Sequence, residues 1–310
     1  MGTIIAVDIG GTHLRAALYE PENMQPISHK RIRTHTEEPG VYGRMEALIE
    51  SIWPKDGNVT AIGVASPGPL DPHAGYILKT PNIKEWQNFP LGPNLTKHFN
   101  VPAFVDNDAN LAALGEWKFG AGKGHHHLLY LTISTGVGGG VITDDHLLQG
   151  YHGLATELGH TLLDPDGPLC SCGFPGHLEA FSSGPAIAKY VLGELAAGAS
   201  SSLKLDKNLS AQVVANAAIQ GDVLAISAYR RAGEYLGMAV VNFLLSFDPS
   251  IVVFGGGVSQ VGSLLFDSFH TSLKKRIFHP RYLENLKIEM AALGDDAGLL
   301  GALALAQISS

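Results

Sequence analysis

The sequence predicts an α/β protein of two domains. Its 310 residues are enough for about two domains, and 45% hydrophobic against 16% charged residues supports packed cores. The pattern of strand, glycine-rich turn and strand occurs twice, within Thr3–Tyr19 and within Leu128–Thr143. Helical periodicity follows each copy, so we expect each copy to open one α/β domain.

The first half is predicted to alternate strands with helices. Thr3–Val7 and Leu14–Tyr19 are β-prone runs that form a hairpin around the turn Asp8–Thr12. In Tyr42–Trp53 the apolar residues recur on one face of a helix. The other elements predicted in this half are the strands Ala61–Ala65 and Ala103–Val105 and the helix Ala109–Trp117.

The second half is predicted to follow a glycine-rich junction at Gly115–Gly124. Ser183 and Ser210 are candidate N-caps, because a serine hydroxyl accepts hydrogen bonds from the first amides of a helix. We expect residues 1–115 with 297–310 to form the smaller domain and residues 116–296 the larger one. The predicted elements are the strands Leu128–Ser134, Gly140–Thr143 and Ile251–Phe254, the helices Gly184–Ala197, Ser210–Gly221 and Asp222–Phe247, and a final helix Ala297–Ile308 that folds back onto the first half.

Charge and hydropathy disfavour several classes of partner. With 21 basic and 29 acidic residues the net charge is −8 and no basic block occurs, so neither nucleic acid nor an anionic membrane is an expected partner. The apolar stretches Met238–Phe247 and Leu299–Ala306 are shorter than the roughly 18 residues of a spanning helix. Only two cysteines are present and no signal-peptide pattern, so we expect a cytoplasmic protein without disulfides.

Three glycine-rich turns follow predicted strands, at Asp8–Thr12, Ser134–Gly140 and Gly255–Gly257. Glycine lets backbone amides approach and surround an anion, as in phosphate-binding loops. One such turn alone could serve hairpin geometry, but three together favour a nucleotide. Asp8 and the threonine hydroxyls suit Mg²⁺ bound to that nucleotide. Because the turns contain no lysine, charge neutralisation would fall to the metal ion and backbone dipoles.

The segment Phe104–Asp108 places two carboxylates and an amide where a strand passes into a helix. One of the carboxylates could act as a general base that removes a proton from a reacting hydroxyl. Alternatively, Asp106, Asn107 or Asp108 caps the following helix. The residues alone leave both interpretations open.

A short segment near the middle of the chain carries Cys170, Cys172 and His177. Thiolate and imidazole are ligands that suit Zn²⁺, and His160 would complete a set of four. Two thiols without a metal, in a turn rich in glycine and proline, are the alternative. A zinc ion here would also position the side chains Glu157, His160 and Glu179.

Several short motifs follow one another in a characteristic order. They are Asp8-Ile9-Gly10-Gly11-Thr12, Ser66-Pro67-Gly68-Pro69, Thr80-Pro81-Asn82, Asp106-Asn107-Asp108, Thr135–Gly140, Glu157-Leu158-Gly159-His160, Cys170–His177, Gly255–Gly257 and Asp296-Ala297-Gly298. In these motifs the chain resembles the ROK family of sugar kinases and repressors over essentially its whole length, and bacterial glucokinases in particular. The resemblance implies a two-domain actin-like ATPase (ribonuclease H-like) fold, with sugar and Mg-ATP meeting in a cleft between the domains.

The resemblance also implies a role for each matching residue. Asp108 corresponds to the catalytic base that takes the proton of the sugar's 6-hydroxyl as it attacks the γ-phosphoryl group. The implied sugar-binding residues are Gly68, Asn82, Asn107, Asp108, Glu157, His160 and Glu179. The residues implied for Mg-ATP are Asp8, Gly10, Gly11, Thr12, Thr135, Gly136, Gly256 and Gly257. The implied ligands of a structural Zn²⁺ are His160, Cys170, Cys172 and His177, the last standing where the family usually has a third cysteine.

The implied activity is ATP-dependent phosphorylation of a neutral hexose, with glucose as the first choice and a homodimer as the expected assembly. Carboxylates, amides and a histidine suit a neutral polyol, whereas an acidic sugar would need arginine or lysine. Kinases of N-acetylglucosamine, N-acetylmannosamine or fructose remain alternatives. A sugar-sensing repressor is disfavoured, because repressors of the family carry a helix-turn-helix before the first phosphate turn, which begins here at Asp8.

Overall fold

The computed structural model describes residues 2–21, 23–35, 40–80 and 83–309. The chain divides into two compact units: unit 1 comprises residues 1–126, 140–156 and 291–310, and unit 2 comprises residues 127–139 and 157–290. Residues 116–126, 140–156 and 291–296 thus belong to unit 1, whereas the expected boundaries assign them to the larger domain. Among the described residues, no helix combines the length and the apolar character needed to cross a membrane.

The strands and helices have the following bounds. The strands are β1 (Thr3–Ile9), β2 (His13–Tyr19), β3 (Ser28–Arg33), β4 (Val59–Ser66), β5 (Leu70–Asp71), β6 (Tyr76–Lys79), β7 (Gln87–Phe89), β8 (Ala103–Asn107), β9 (Leu128–Ile133), β10 (Val137–Thr143), β11 (His146–Leu147), β12 (Ile251–Gly255) and β13 (Lys287–Met290). The helices are α1 (Val41–Glu50), α2 (Leu91–Phe99), α3 (Asp108–Phe119), α4 (Glu179–Ser182), α5 (Gly184–Ala196), α6 (Ala211–Ile219), α7 (Val223–Phe247), α8 (Ser263–Arg276) and α9 (Ala297–Ser309).

Unit 1 is built on a sheet in the order β3-β2-β1-β4-β8. The predicted first hairpin is confirmed, since β1 and β2 pair antiparallel. Strand β4 is parallel to both β1 and β8, so these three strands end at the same edge of the sheet. Helix α1 contributes Met45 and Ile49, both fully buried, to the apolar core of this unit. The short strands β5, β6 and β7 form a separate antiparallel sheet that the sequence did not predict.

Helix α9 packs on β1, β4 and α3, which confirms that the last helix returns to the first half of the chain. Glycines permit this close approach. A Cβ at Gly63 of β4 would lie 1.9 Å from the carbonyl oxygen of Ala302, and a Cβ at Gly301 would lie 1.8 Å from that of Leu111.

Gly115 serves the same packing and does not begin a junction between domains. It lies inside α3, where a Cβ would come within 2.8 Å of the carbonyl oxygen of Ala297. The helix continues to Phe119. Residues 115–119 of the predicted junction Gly115–Gly124 are therefore helical, and the absent side chain of Gly115 permits helix contact.

Replacing Gly301 by alanine should destabilise the protein by about 1–3 kcal/mol, the range for overpacking a well-filled core. The added methyl group would have to displace the backbone of α3 at Leu111. Gly193→Ala is the matched control, since Gly193 is also helical and a Cβ there meets nothing within 4 Å. Chemical denaturation should give a small gain in stability for Gly193→Ala. Equal stability of the two variants would contradict the packing interpretation.

Unit 2 places β12 between β9 and β13 and parallel to both. The long helix α7 packs along α8, with α5 and α6 beside it. The two predicted N-caps are confirmed, since Ser183 and Ser210 accept hydrogen bonds from amides of the first turns of α5 and α6. Asp222, which was not predicted as a cap, does the same for α7. Strand β10 follows β9 after a turn in which the Ser134 amide donates to the Gly136 carbonyl oxygen at 2.8 Å.

Candidate functional site

Three predicted motifs of unit 1, which begin at Asp8, Ser66 and Asp106, lie at the carboxyl ends of the parallel strands β1, β4 and β8. In the register of β4 and β8, Ser66 lies opposite Asn107. A Cβ at Gly68 would lie 3.0 Å from Asn107 Nδ2, so the Ser66–Gly68 motif and Asn107 are direct neighbours. Ligands of α/β sheets commonly bind at this edge. Asn82, an expected sugar contact, lies outside the described residues.

The turn after β1 is held by a residue that the sequence analysis did not single out. The Thr34 hydroxyl donates to the Gly10 carbonyl oxygen at 2.6 Å, and the Thr34 amide donates to the Thr12 carbonyl oxygen at 2.9 Å. Thr34 is fully buried, while Gly11 and Thr12 are exposed. The turn is thus presented to solvent on a fixed backbone, as phosphate binding requires.

Asp8 is a buried carboxylate at the end of β1. Its Oδ2 accepts hydrogen bonds from Arg15 Nε at 2.9 Å and from Arg15 Nη2 at 2.5 Å. Burial raises the pKa of Asp8, and the Arg15 guanidinium opposes that rise. A Cβ at Gly298 would lie 3.0 Å from Asp8 Oδ1, which explains the glycine of the Asp296-Ala297-Gly298 motif. One oxygen of Asp8 is therefore committed to Arg15.

In the segment after β8, the helix cap and the candidate base are two different residues. Asn107 is the N-cap of α3, with its side-chain oxygen accepting from the amides of Ala109 and Asn110. Asp108 is the first residue of the helix and is exposed. An acid in this position is favoured by the helix dipole, and its backbone is fixed by the cap. The capping interpretation thus applies to Asn107.

Asp106 is excluded as the base by its surroundings. It is fully buried, and its carboxylate accepts hydrogen bonds from the Asn107 amide, from Asn110 Nδ2 at 3.1 Å and from Gln149 Nε2 at 2.6 Å. Burial raises the pKa of Asp106, and the hydrogen bonds of Gln149 and Asn110 oppose this. The Thr156 hydroxyl donates to Asn110 Oδ1 at 2.9 Å, so Asp106 organises residues far apart in sequence.

In unit 2 the two remaining glycine-rich turns lie side by side. Strands β9 and β12 are parallel, with Thr132 opposite Gly255, so the turns that follow them meet at one edge. Gly256 has a φ of 83°, and a Cβ there would lie 2.3 Å from the Ile133 carbonyl oxygen. Only glycine fits this position. The structure thereby brings together Thr135, Gly136, Gly256 and Gly257, all expected to bind nucleotide.

The four expected metal ligands also converge in unit 2. One donor atom from each of His160, Cys170, Cys172 and His177 lies within 4.8 Å of the others. Cys170 Sγ is 3.7 Å from His160 Nδ1, and Cys172 Sγ is 3.2 Å from His177 Nδ1. Ligand bonds of about 2.3 Å to sulfur and about 2.0 Å to nitrogen in a tetrahedron place such donors roughly 3.5 Å apart. The donor set therefore fits a zinc ion.

Burial raises the pKa of the Cys170 thiol to about 11, and the Glu179 carboxylate adds to the rise. A bound divalent cation would reverse this effect because it stabilises the thiolate. Glu179 begins α4, beside the cluster, and Cys170 Sγ lies 3.4 Å from its Oε1. Glu157 is exposed and immediately precedes the short 3₁₀ helix Leu158–His160.

Four residues of these sites were missed from the sequence: Thr34, Arg15, Gln149 and Ser171. Gln149 bonds to Asp106 from 43 positions away, and Thr34 bonds to Gly10 from 24 positions away. Neither lies in a recognisable motif. Arg15 could have been found, since in a hairpin closed around Gly10–Thr12 it lies directly opposite Asp8.

Comparison with known proteins places the chain in a family. The sequence matches the ROK family over residues 4–308. It is 36% identical to a glucokinase from Thermotoga maritima over 309 residues, which cover 97% of this chain and 96% of that relative. It is also 33% identical to a xylose repressor from Caldicellulosiruptor bescii, over 98% of this chain and 78% of the repressor.

A solved structure supports the same assignment. The ROK family glucokinase from Streptomyces griseus, crystallised in complex with glucose and AMPPNP, has a TM-score of 0.80 and 32% identity, and the match covers 99% of this chain and 100% of that one. This similarity confirms the predicted α/β, two-domain actin-like ATPase fold. The chain belongs to the ROK family.

Proposed function

We propose that the protein transfers the γ-phosphoryl group of ATP to the 6-hydroxyl of a neutral hexose, and that the preferred hexose is glucose. The observation that carries this proposal is the geometry after β8. An exposed carboxylate, Asp108, stands on a backbone fixed by the Asn107 cap. Its neighbour Asp106 is buried, so Asp108 is the solvent-exposed acid of this segment.

In this reaction Asp108 accepts the proton of the 6-hydroxyl while the hydroxyl oxygen bonds to the γ-phosphorus and the bond to the ADP oxygen breaks. The glycine-rich turns direct backbone amides at the phosphates. They are Gly10–Thr12 in unit 1 and Thr135–Gly136 with Gly256–Gly257 in unit 2. Mg²⁺ bound to the nucleotide would neutralise charge on the transferred group, and Asp8 is the acid nearest the first turn.

Sugar recognition by carboxylates and amides supports a neutral substrate. We assign Gly68 and Asn107 in unit 1, and Glu157, His160 and Glu179 in unit 2, to the sugar hydroxyls, with Asn82 as a further contact by resemblance. Each sugar hydroxyl can donate to an acid and accept from an amide. The sugar motifs contain no arginine or lysine that would favour an acidic sugar.

We further propose that His160, Cys170, Cys172 and His177 hold one structural Zn²⁺. Their donor atoms lie within 4.8 Å of one another, which supports this assignment. A zinc ion would cross-link four side chains that stand 17 positions apart at most in the sequence, from His160 to His177. The ring nitrogen of His160 that is not bound to the metal could still donate to a sugar hydroxyl. A homodimer, as the resemblance implies, is part of the proposal and is testable by sedimentation.

The decisive test is a panel of glucose, mannose, fructose, N-acetylglucosamine and N-acetylmannosamine, each assayed for ATP-dependent sugar phosphate formation. We expect the highest kcat/KM for glucose. A higher value for an N-acetylated or keto sugar would assign the chain to the alternative kinases. ATP that stays unconsumed with every sugar, together with xylose binding, would favour a sugar sensor like the xylose repressors to which the chain is similar.

A further inference from the structure

Glu179 joins two parts of unit 2, the Cys/His cluster and the glycine-rich turn after β9. Its Oε1 accepts a hydrogen bond from the Ser171 hydroxyl at 2.5 Å, and its Oε2 accepts one from the Val137 amide at 3.1 Å. Ser171 lies between the two cysteines of the Cys/His cluster. Val137 is the first residue of β10 and directly follows the glycine-rich turn Ser134–Gly136. One carboxylate therefore links the cluster to that turn.

The contact between Glu179 and the turn leaves the carboxylate little room to move. A Cβ at Gly136 would lie 2.7 Å from Glu179 Oε2, so the carboxylate lies directly against the backbone of the turn. Gly136 is required here because any side chain would displace Glu179. The orientation of Glu179 and the position of the turn amide are thus mutually dependent.

The contact between Glu179 and the Cys/His cluster is made by the hydroxyl of Ser171. Ser171 is exposed, so removing its hydroxyl creates no cavity in the core. Its backbone is held because both sequence neighbours belong to the cluster. The Ser171 hydroxyl, on this held backbone, favours the one rotamer of Glu179 that accepts its hydrogen bond over the other staggered rotamers.

We propose that Ser171 is a positioning residue, which fixes Glu179 for sugar binding and, through Val137, fixes the preceding turn Ser134–Gly136 for nucleotide binding. The inference rests on the proposed hexose kinase function for its sugar half only. Ser171 touches neither substrate; it acts through Glu179. The hydroxyl thereby transmits the geometry of the Cys/His cluster to both ligands.

The experiment compares Ser171→Ala, Ser171→Thr and Ser202→Ala. Ser202 is a matched control because its hydroxyl is also exposed and also donates to a carboxylate of unit 2, that of Asp222, at 2.8 Å. For Ser171→Ala we expect a KM for glucose about tenfold higher and a Kd for AMPPNP at least about threefold higher, as expected on losing a hydrogen bond to a charged group. Ser171→Thr should restore both values to within about twofold, because threonine retains the hydroxyl donor. Ser202→Ala should change neither.

Two further measurements distinguish a positioning role of Ser171 from a structural role in the Cys/His cluster. Metal analysis should give the same metal content for Ser171→Ala as for the wild type, and thermal unfolding should give the same Tm. Loss of metal together with affinity would mean that Ser171 supports the cluster itself, which overturns the proposal. Wild-type values of both KM and Kd in Ser171→Ala would also overturn it.

Binding of AMPPNP keeps the test independent of turnover. If the wild type phosphorylates no hexose but Ser171→Ala still weakens AMPPNP binding, the proposed function fails and the positioning of the turn stands. If the wild type is active and only the AMPPNP affinity is unchanged in Ser171→Ala, the link through Val137 is wrong. A wild-type chain that binds no nucleotide overturns both proposals.

Discussion

Asp108→Ala should lower kcat by about 10²–10⁴, the contribution expected of a general base. The KM for ATP should change little, because in the proposed reaction Asp108 would contact the sugar hydroxyl and not the nucleotide. The fold should survive, since Asn107 remains as the N-cap of α3. Removing an acid from the first turn of a helix costs at most about 1 kcal/mol. Steady-state kinetics with circular dichroism checks both parts of this expectation.

Two further variants test whether the loss of kcat is specific to the carboxylate of Asp108. Asp108→Asn keeps the shape of the side chain but accepts no proton, so it should be as inactive as alanine. Asp206→Asn changes another exposed aspartate, which caps a local turn in unit 2, and should retain wild-type kcat. A kcat for Asp108→Asn within a factor of a few of the wild type would contradict the assignment of the base.

The second large effect concerns the proposed zinc ion, whose removal should lower the Tm. Untagged protein should contain one zinc per chain, and Cys172→Ser or prolonged chelation should release it. Structural zinc contributes about 10–16 kcal/mol in small zinc-finger peptides. If unit 2 loses even about 3 kcal/mol, the Tm should fall by roughly 6–12 °C, given about 2–4 °C per kcal/mol for a chain region of this size. Metal analysis and calorimetry provide the measurements.

The control for this loss is His29→Ala, which changes an exposed histidine of β3 in unit 1. It should leave metal content and Tm unchanged. Readdition of Zn²⁺ to the chelated wild type should restore the Tm, whereas Cys172→Ser should not respond. Finding no zinc in untagged protein would support the alternative of two thiols without a metal.

Local signals explain why much of the fold was predictable. The caps Ser183 and Ser210 were identified correctly because a cap acts on amides two or three residues away. Alternating and β-branched residues predicted β1, β2 and β9. The sheet of β5, β6 and β7 was missed because its strands have two to four residues, too few to show a period.

Glycine shows where local reasoning fails. Gly115 in the sequence is one more glycine in a glycine-rich stretch, and such stretches are typical of junctions. In the structure the same residue lets α9 approach α3. Flexibility at a junction and close helix packing both depend on the missing Cβ of glycine. Only the presence of a second helix distinguishes these two roles.

By itself, the sequence was sufficient for the two α/β halves, the three glycine-rich turns and the donor set of the Cys/His cluster, because each depends on residue type and short spacing. Only the tertiary structure decided which groups are partners across long separations. Thr34 holds the first turn, Gln149 engages Asp106, and Glu179 accepts from Val137, 42 positions earlier. Hydrogen bonds act over about 3 Å, so they depend on strand register and packing, which no short segment of sequence specifies.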